Sequence, residues 1–216
     1  MPRQPRIDIP NTVYHVYTRG HNKSALFLDD LDRRTFLKYL HRACAQFPLE
    51  VCGYCLMGNH YHLQVRTLEI PLAKTMHLLN TLYAEYFNFR YGKVGHVFQN
   101  RYHSIPVEVD SYLLVLSRYI HLNPVLAGLV LRPEDYSWSS YGDYVGNRTT
   151  GLVQSALVLD TLSTNVAKQR EAYRQFVESE IGKPPQFKEE IIQKTRIFGS
   201  VDYVRALNKP WVNNCF

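Results

Sequence analysis

Residues 12–19 (TVYHVYTR) are β-branched and aromatic, and their side chains alternate. Val13, His15 and Tyr17 fall on one side and Tyr14, Val16 and Thr18 on the other, which predicts a strand closed by Gly20. From Asp29 to about Phe47 the period changes. Phe36, Leu37, Leu40, Ala43, Cys44 and Phe47 recur at helical spacing, with Asp29 or Asp30 as the cap and Pro48 as the stop. Two more strand patterns follow, 49–57 (LEVCGYCLM) and 60–66 (HYHLQVR), around a turn at Met57-Gly58-Asn59. Pro71 opens a helix to about Tyr91, with Leu72, Met76, Leu79, Leu82, Tyr83 and Tyr86 in one stripe. A basic, polar loop from Arg90 to Arg101 leads to a strand at 103–109. Asp110 or Ser111 then caps a helix to about Leu122, which is expected to end before Pro124.

The order β-α-β-β-α-β predicts an α+β, ferredoxin-like (RRM-like) antiparallel sheet with helices on one face and the other face open. The helix at 111–122 is an addition to that pattern. Residues 125–150 read as irregular, and a mostly helical extension follows from about Leu152. The expected division is a domain at 1–146 and a C-terminal extension at 147–216.

Charge and composition narrow the partner. The chain has 216 residues, with 25 Lys+Arg against 19 Asp+Glu and a formal net charge of +6. Sixteen tyrosines accompany ten phenylalanines and two tryptophans. A basic surface rich in aromatic rings suits single-stranded nucleic acid, although a charge of this size also serves solubility alone. No apolar run approaches the roughly 18 residues that cross a bilayer, and the first residues lead into no secretory apolar region. The four cysteines are scattered, which fits a reducing, cytoplasmic setting.

The candidate chemistry centres on His60-Tyr61-His62. On a strand, residues i and i+2 leave the same face about 7 Å apart, so both imidazoles can converge on one metal. Two histidines do not complete a site. On the last predicted helix Tyr119 and Asn123 are four apart and share a face. Tyrosine beside a metal is a candidate nucleophile, whereas helical spacing alone favours a core tyrosine and a C-terminal cap. His15 is expected on the same sheet face as the pair. His103 and His121 read as structural, with His121 turned away from Tyr119. Cys52-Gly-Tyr-Cys55 has redox-motif spacing but lies in a strand rather than at a helix N-terminus. A zinc site from Cys52, Cys55, His60 and His62 is disfavoured because i and i+3 on a strand face opposite sides.

The string MGNHYHLQV (57–65), then GHVFQNRYHSIPVE (95–108) and SRYIHLNPVLAGLV (117–130), resembles the REP-associated tyrosine transposases of the HUH single-tyrosine superfamily. TRGHNKSALFLDDLDRRTFLKYL (18–40) and EDYSWSSYGDYV (134–145) are similar to the same family, so the resemblance spans roughly residues 10–146. It implies that His60, His62 and Asn123 hold Mg²⁺ or Mn²⁺ and that Tyr119 is the nucleophile. It also implies a single-stranded or hairpin DNA substrate, a 5′-phosphotyrosine intermediate, strand rejoining, and a nucleoid-associated monomer or homodimer. His15, read from its strand position, is expected in a plain structural role, with an outer partner of the metal site or a DNA contact as the alternatives. Arg19, Lys23, Arg90, Lys93, Arg101 and Arg118, with Asn22, Gln99 and Tyr102, become the DNA track. Gly58 stands where the family usually has proline, and Tyr61 where it has a smaller aliphatic residue. A domesticated hairpin-binding protein without cleavage activity is the alternative.

Overall fold

The computed structural model describes residues 8–183 and 197–208. Among them, four strands form one antiparallel sheet in the order β2-β3-β1-β4: β1 (Val13–Arg19), β2 (Leu49–Leu56), β3 (His60–Thr67) and β4 (His103–Val107). Helices α1 (Asp30–Gln46) and α2 (Leu72–Tyr91) complete the ferredoxin-like unit. Asp29 caps α1, its carboxylate accepting from the Asp32 N–H at 3.0 Å.

Alternation along the strands divides the sheet into two faces. Tyr14, Val16, Tyr54, Leu56, Tyr61, Leu63 and Val65 pack with Phe36 and Leu40 of α1 and Met76, Leu79 and Tyr83 of α2 into one apolar core. Tyr61, between the two histidines, belongs to this side, and its hydroxyl donates to Asn80 Oδ1 at 3.0 Å. The turn before the histidines is tied down without a proline. The Gly58 carbonyl accepts from the Leu26 and Phe27 amides at 3.0 and 3.1 Å. Gly20 is needed where β1 ends, since a Cβ there would collide with the Ser24 carbonyl oxygen.

The second face differs from expectation, because it is not open. Helix α3 (Val109–Leu126) lies over it, burying Leu113, Leu116 and Ile120 with Val13, Cys55, Ile105 and Val107 of the sheet. These strand positions are apolar on the side away from α1 and α2, so leaving them bare would cost the hydrophobic gain that α3 supplies. The helix also outlasts its predicted limits. Pro124 forfeits only its own bond to the Ile120 carbonyl, and it does so in the final turn, where Ala127 N–H donates to the Asn123 carbonyl and Leu129 N–H to that of Pro124. At the other end, the cap position falls on Glu108 rather than Asp110 or Ser111. The Glu108 carboxylate accepts instead from the Ser200 N–H and hydroxyl at 2.6 and 3.0 Å, just ahead of α7 (Val201–Asn208).

Helices α4 (Tyr141–Val145), α5 (Ala156–Leu159) and α6 (Val166–Glu178) pack behind α3. Tyr141, Tyr144, Val158, Leu159, Tyr173 and Val177 share its core, so residues on both sides of position 146 bury their apolar surface together. No helix among the described residues is long and apolar enough to cross a membrane.

Candidate nucleic-acid processing site

Strand register assembles the site. Arg19 lies opposite His60, Tyr17 opposite both His62 and His103, and His15 opposite Gln64 and Ile105. All of these side chains leave the sheet on the α3 side. Where α3 does not cover them, a cleft of about 640 Å³ opens, lined by Tyr17, Arg19, Lys23, His60, His62, Tyr119 and Asn123 together with Gln99, Asn100 and His103. The two histidines, the tyrosine and the asparagine singled out in the sequence therefore meet in one place.

Hydrogen bonds fix which atoms are presented. His60 donates from Nδ1 to Asn59 Oδ1 at 2.7 Å, and Asn59 Nδ2 in turn donates to the Lys23 carbonyl at 3.1 Å. His62 Nδ1 lies 2.9 Å from His15 Nε2. When His62 donates in that bond, both imidazoles of the pair keep Nε2 as a lone pair. Their rings are 5.0 Å apart, and the Tyr119 ring stands edge-on to His62 at 5.6 Å and to His15 at 5.9 Å. The Asn123 amide donates from Nδ2 to the Tyr119 carbonyl at 2.8 Å, which leaves Oδ1 as the end available to a cation.

Burial keeps these imidazoles neutral. It pulls His60 down to about 4, with help from the neighbouring Arg19, and pulls His15 down to about 3, with help from His103. His62 is lowered well below the ordinary range by burial and by the two imidazoles beside it. Neutral imidazole is the form that ligates metal, so no proton has to leave at neutral pH. Two imidazole nitrogens and an amide oxygen on one cleft fit a divalent cation of borderline softness. Among the described residues, no group of three His, Cys, Asp or Glu side chains is arranged to hold a metal.

The cysteine readings fail on burial. The Cys52 thiol is pushed up to about 12 and that of Cys55 higher still, both mainly by desolvation, which disfavours the thiolate that zinc or redox chemistry requires. Cys55 Sγ rests 3.6 Å from Met57 Sδ in the core shared with α3.

The proposed DNA track is only partly assembled. Arg19 and Lys23 line the cleft, and Arg19 Nε donates to Gln99 Oε1. Arg101 lines an adjoining groove that shares Gln99 and Asn100 with the cleft, and Lys93 is exposed, its ammonium over the Phe87 ring. Arg90, partly exposed, and Arg118, buried, are both engaged by groups elsewhere in the fold. Arg90 forks onto Asp29 and the buried Asp32, and Arg118, 8% exposed, stacks 4.1 Å above Phe176 and faces Glu180 at 3.9 Å. Tyr102 is buried as well. Tyr17, Asn59 and Asn100 join the site without having been expected there, and His103 lines the cleft rather than serving structure alone. For Tyr17 the signal lies in the sequence, since it alternates with His15.

The fold is a four-stranded ferredoxin-like sheet with a histidine pair facing a helix-borne tyrosine across one cleft. The sequence model of the family described as "Transposase IS200 like" matches residues 8–123, more than half of the chain, and the protein belongs to that family. Its structure is similar to that of a REP-associated tyrosine transposase bound to a REP hairpin. The TM-score is 0.60 at 15% identity, covering 77% of this chain and 93% of that one. A protein classed as a transposase from Deinococcus radiodurans R1 aligns with a TM-score of 0.39 at 13% identity, covering 55% of this chain and 94% of the other. No curated protein matches the chain.

Proposed function

We propose that this transposase-family protein binds hairpin DNA and cuts and rejoins single strands through a covalent bond to Tyr119. The observation that carries the reading is the convergence of Tyr119, Asn123, His60 and His62 on one cleft. The structural likeness to a transposase bound to a REP hairpin supports DNA hairpins as the substrate class.

His60 and His62 through Nε2, and Asn123 through Oδ1, would hold Mg²⁺ or Mn²⁺, with Mn²⁺ favoured by two imidazoles. A cation there supplies Lewis-acid polarisation of the scissile phosphate. Arg19 and Lys23 place phosphate oxygens in the cleft. The Tyr119 oxygen attacks phosphorus as its proton passes to solvent, a bond to the 5′-phosphate forms, the P–O3′ bond breaks, and the leaving oxygen takes a proton from solvent to become a free 3′-OH. One phosphoester replaces another, so a later 3′-OH can attack the phosphotyrosine, rejoin the strand and release Tyr119 without ATP. Asn123, bonded to the Tyr119 carbonyl, holds the helical turn from which the nucleophile projects. The Tyr119 ring stands edge-on to His62 of its own chain at 5.6 Å, which supports a nucleophile serving the histidine pair of the same subunit.

A fluorescent hairpin with a single-stranded flank, incubated with Mn²⁺ and run on a denaturing gel, tests the reading. A protein-linked DNA band is expected from the native chain and none from Tyr119→Phe, with hairpin affinity unchanged. Undiminished adduct from Tyr119→Phe would refute the assignment. Tight binding with no adduct from the native chain would favour the binding-only alternative.

A further inference from the structure

Helix α3 carries Tyr119 and Asn123 toward the cleft, and its opposite side carries a buried chain of polar groups that the cleavage chemistry does not use. His121 is two residues from Tyr119, about 200° around the helix. Its Nδ1 lies 2.6 Å from the Tyr173 hydroxyl of α6, and its Nε2 lies 2.8 Å from Ser140 Oγ. The Tyr173 hydroxyl donates to Ser117 Oγ at 3.0 Å, and Ser117 donates to the Leu114 carbonyl at 2.9 Å. The Tyr54 N–H of β2 donates to Ser140 Oγ at 2.8 Å.

With Ser117 directing its proton to Leu114, Tyr173 donates to Ser117 and accepts from His121 Nδ1, and His121 Nε2 accepts from Ser140, which accepts from the Tyr54 amide. Ser140 Oγ also lies 3.2 Å from the Tyr54 carbonyl, and a proton directed there reverses the roles of the two His121 nitrogens. In either direction His121 stays bonded to both Tyr173 and Ser140. The chain runs from β2 through α3 to α6 with each named group satisfied, and Tyr144 packs against both the His121 and Tyr173 rings at 4.8 and 4.6 Å. Arg118, stacked on Phe176, adds a second tie between α3 and α6. A buried network with every member paired specifies a single arrangement.

We infer that Tyr173, acting through His121, is a positioning residue that fixes the rotation of α3 and so the placement of the Tyr119 hydroxyl over the histidine pair. The inference rests on the proposed nucleophilic role of Tyr119. Tyr173 lies beyond residue 123, where the family match ends, so a segment outside that match sets the geometry of the site within it. Pro124 makes such a brace useful, because the turn holding Asn123 lacks one of its backbone bonds. On a helix whose Cα atoms lie about 2.3 Å from the axis, a phenol oxygen reaches roughly 8 Å out, so a rotation of about 10° moves it by more than about 1 Å. A displacement of that size costs on the order of 10²-fold in a positioned reaction.

The test compares Tyr173→Phe with Val177→Ala, which opens a cavity on the same helix without touching the polar chain. Single-turnover adduct formation is measured at saturating hairpin and Mn²⁺, alongside hairpin Kd and Tm. Tyr173→Phe is expected to slow adduct formation by about 10-fold or more with Kd within about twofold. Val177→Ala, with an equal or larger loss of Tm, keeps the native rate within about twofold. A native rate in Tyr173→Phe, or the same loss in both variants, would overturn the inference. Adduct from Tyr119→Phe in the same series would instead overturn the functional reading on which it rests.

Discussion

The two faces of this sheet come from the same strands and do different work. Toward α1 and α2, β3 contributes Tyr61, Leu63 and Val65 to a core that is almost wholly apolar. Toward α3, the alternate residues of the same strand are His60, His62 and Gln64, and β1 opposes them with His15, Tyr17 and Arg19. The first face is closed by two long helices. The second is closed only in part and buries polar groups: His62 lies beside His15, and Gln64 donates from its amide to the Leu113 carbonyl at 3.2 Å while its Oε1 is buried without a partner among the described residues. One face supplies stability, and the other gives some of it up to hold neutral donors beside an open cleft.

That contrast is sharpest at adjacent positions, and the following expectations run from the largest effect on cleavage to the smallest. His62→Ala removes a proposed ligand and is expected to lower Mn²⁺-dependent cleavage by more than the roughly 10–100-fold typical of an outer partner. Native cleavage rates in a folded His62→Ala protein would remove that histidine from the site. His15→Leu leaves both ligands in place but deletes the group that orients His62. Cleavage or metal affinity is expected to fall about 10–100-fold, with recovery at higher Mn²⁺. An unchanged Mn²⁺ titration would reduce His15 to packing.

Leu63→Ala, one residue from His62 but on the other face, should behave in the opposite way. Denaturant unfolding is expected to show a loss of about 2–5 kcal/mol, while cleavage stays within about twofold at temperatures where the protein is folded. A rate loss matching that of His62→Ala would erase the division between the faces.

Acid should then act through the α3 side. His15 and His121 are held down to about 3 by burial, and His62 is also well below the ordinary range. Unfolding restores each to its usual value near 6.5, so below that pH the unfolded chain binds protons that the folded chain refuses. The contribution of these histidines is therefore flat above about pH 7 and falls as pH drops toward 3, by up to about 1.4 kcal/mol per pH unit for each. Urea midpoints at pH 8, 7 and 5 check this, and equal midpoints at pH 7 and 5 would contradict it. His121→Gln should flatten the slope without altering the other two contributions.

Much of this is legible locally. The period-2 pattern of residues 12–19 and 60–66 is enough to put His15, His60 and His62 on one face, and helical spacing is enough to pair Tyr119 with Asn123. The basic residues are less legible. Arg19 and Arg90 look alike as exposed cations in the chain, yet Arg19 enters the cleft while Arg90 is taken by Asp29 and the buried Asp32, 61 and 58 residues away in sequence. Nothing in the neighbourhood of residue 90 announces those partners. Arg118 departs from the expected DNA track for the same reason, since Phe176 and Glu180 reach it only through the packing of α6 on α3.

The sequence by itself determined the elements, their order, and the side of each element on which the chemistry-bearing residues stand, because backbone period and side-chain direction are local properties. Tertiary structure alone decided that α3 covers the second face, that its last turn continues through Pro124, and that residues beyond 146 brace it. Those outcomes depend on apolar surface and unsatisfied polar groups finding partners distant in the chain, which no local pattern encodes.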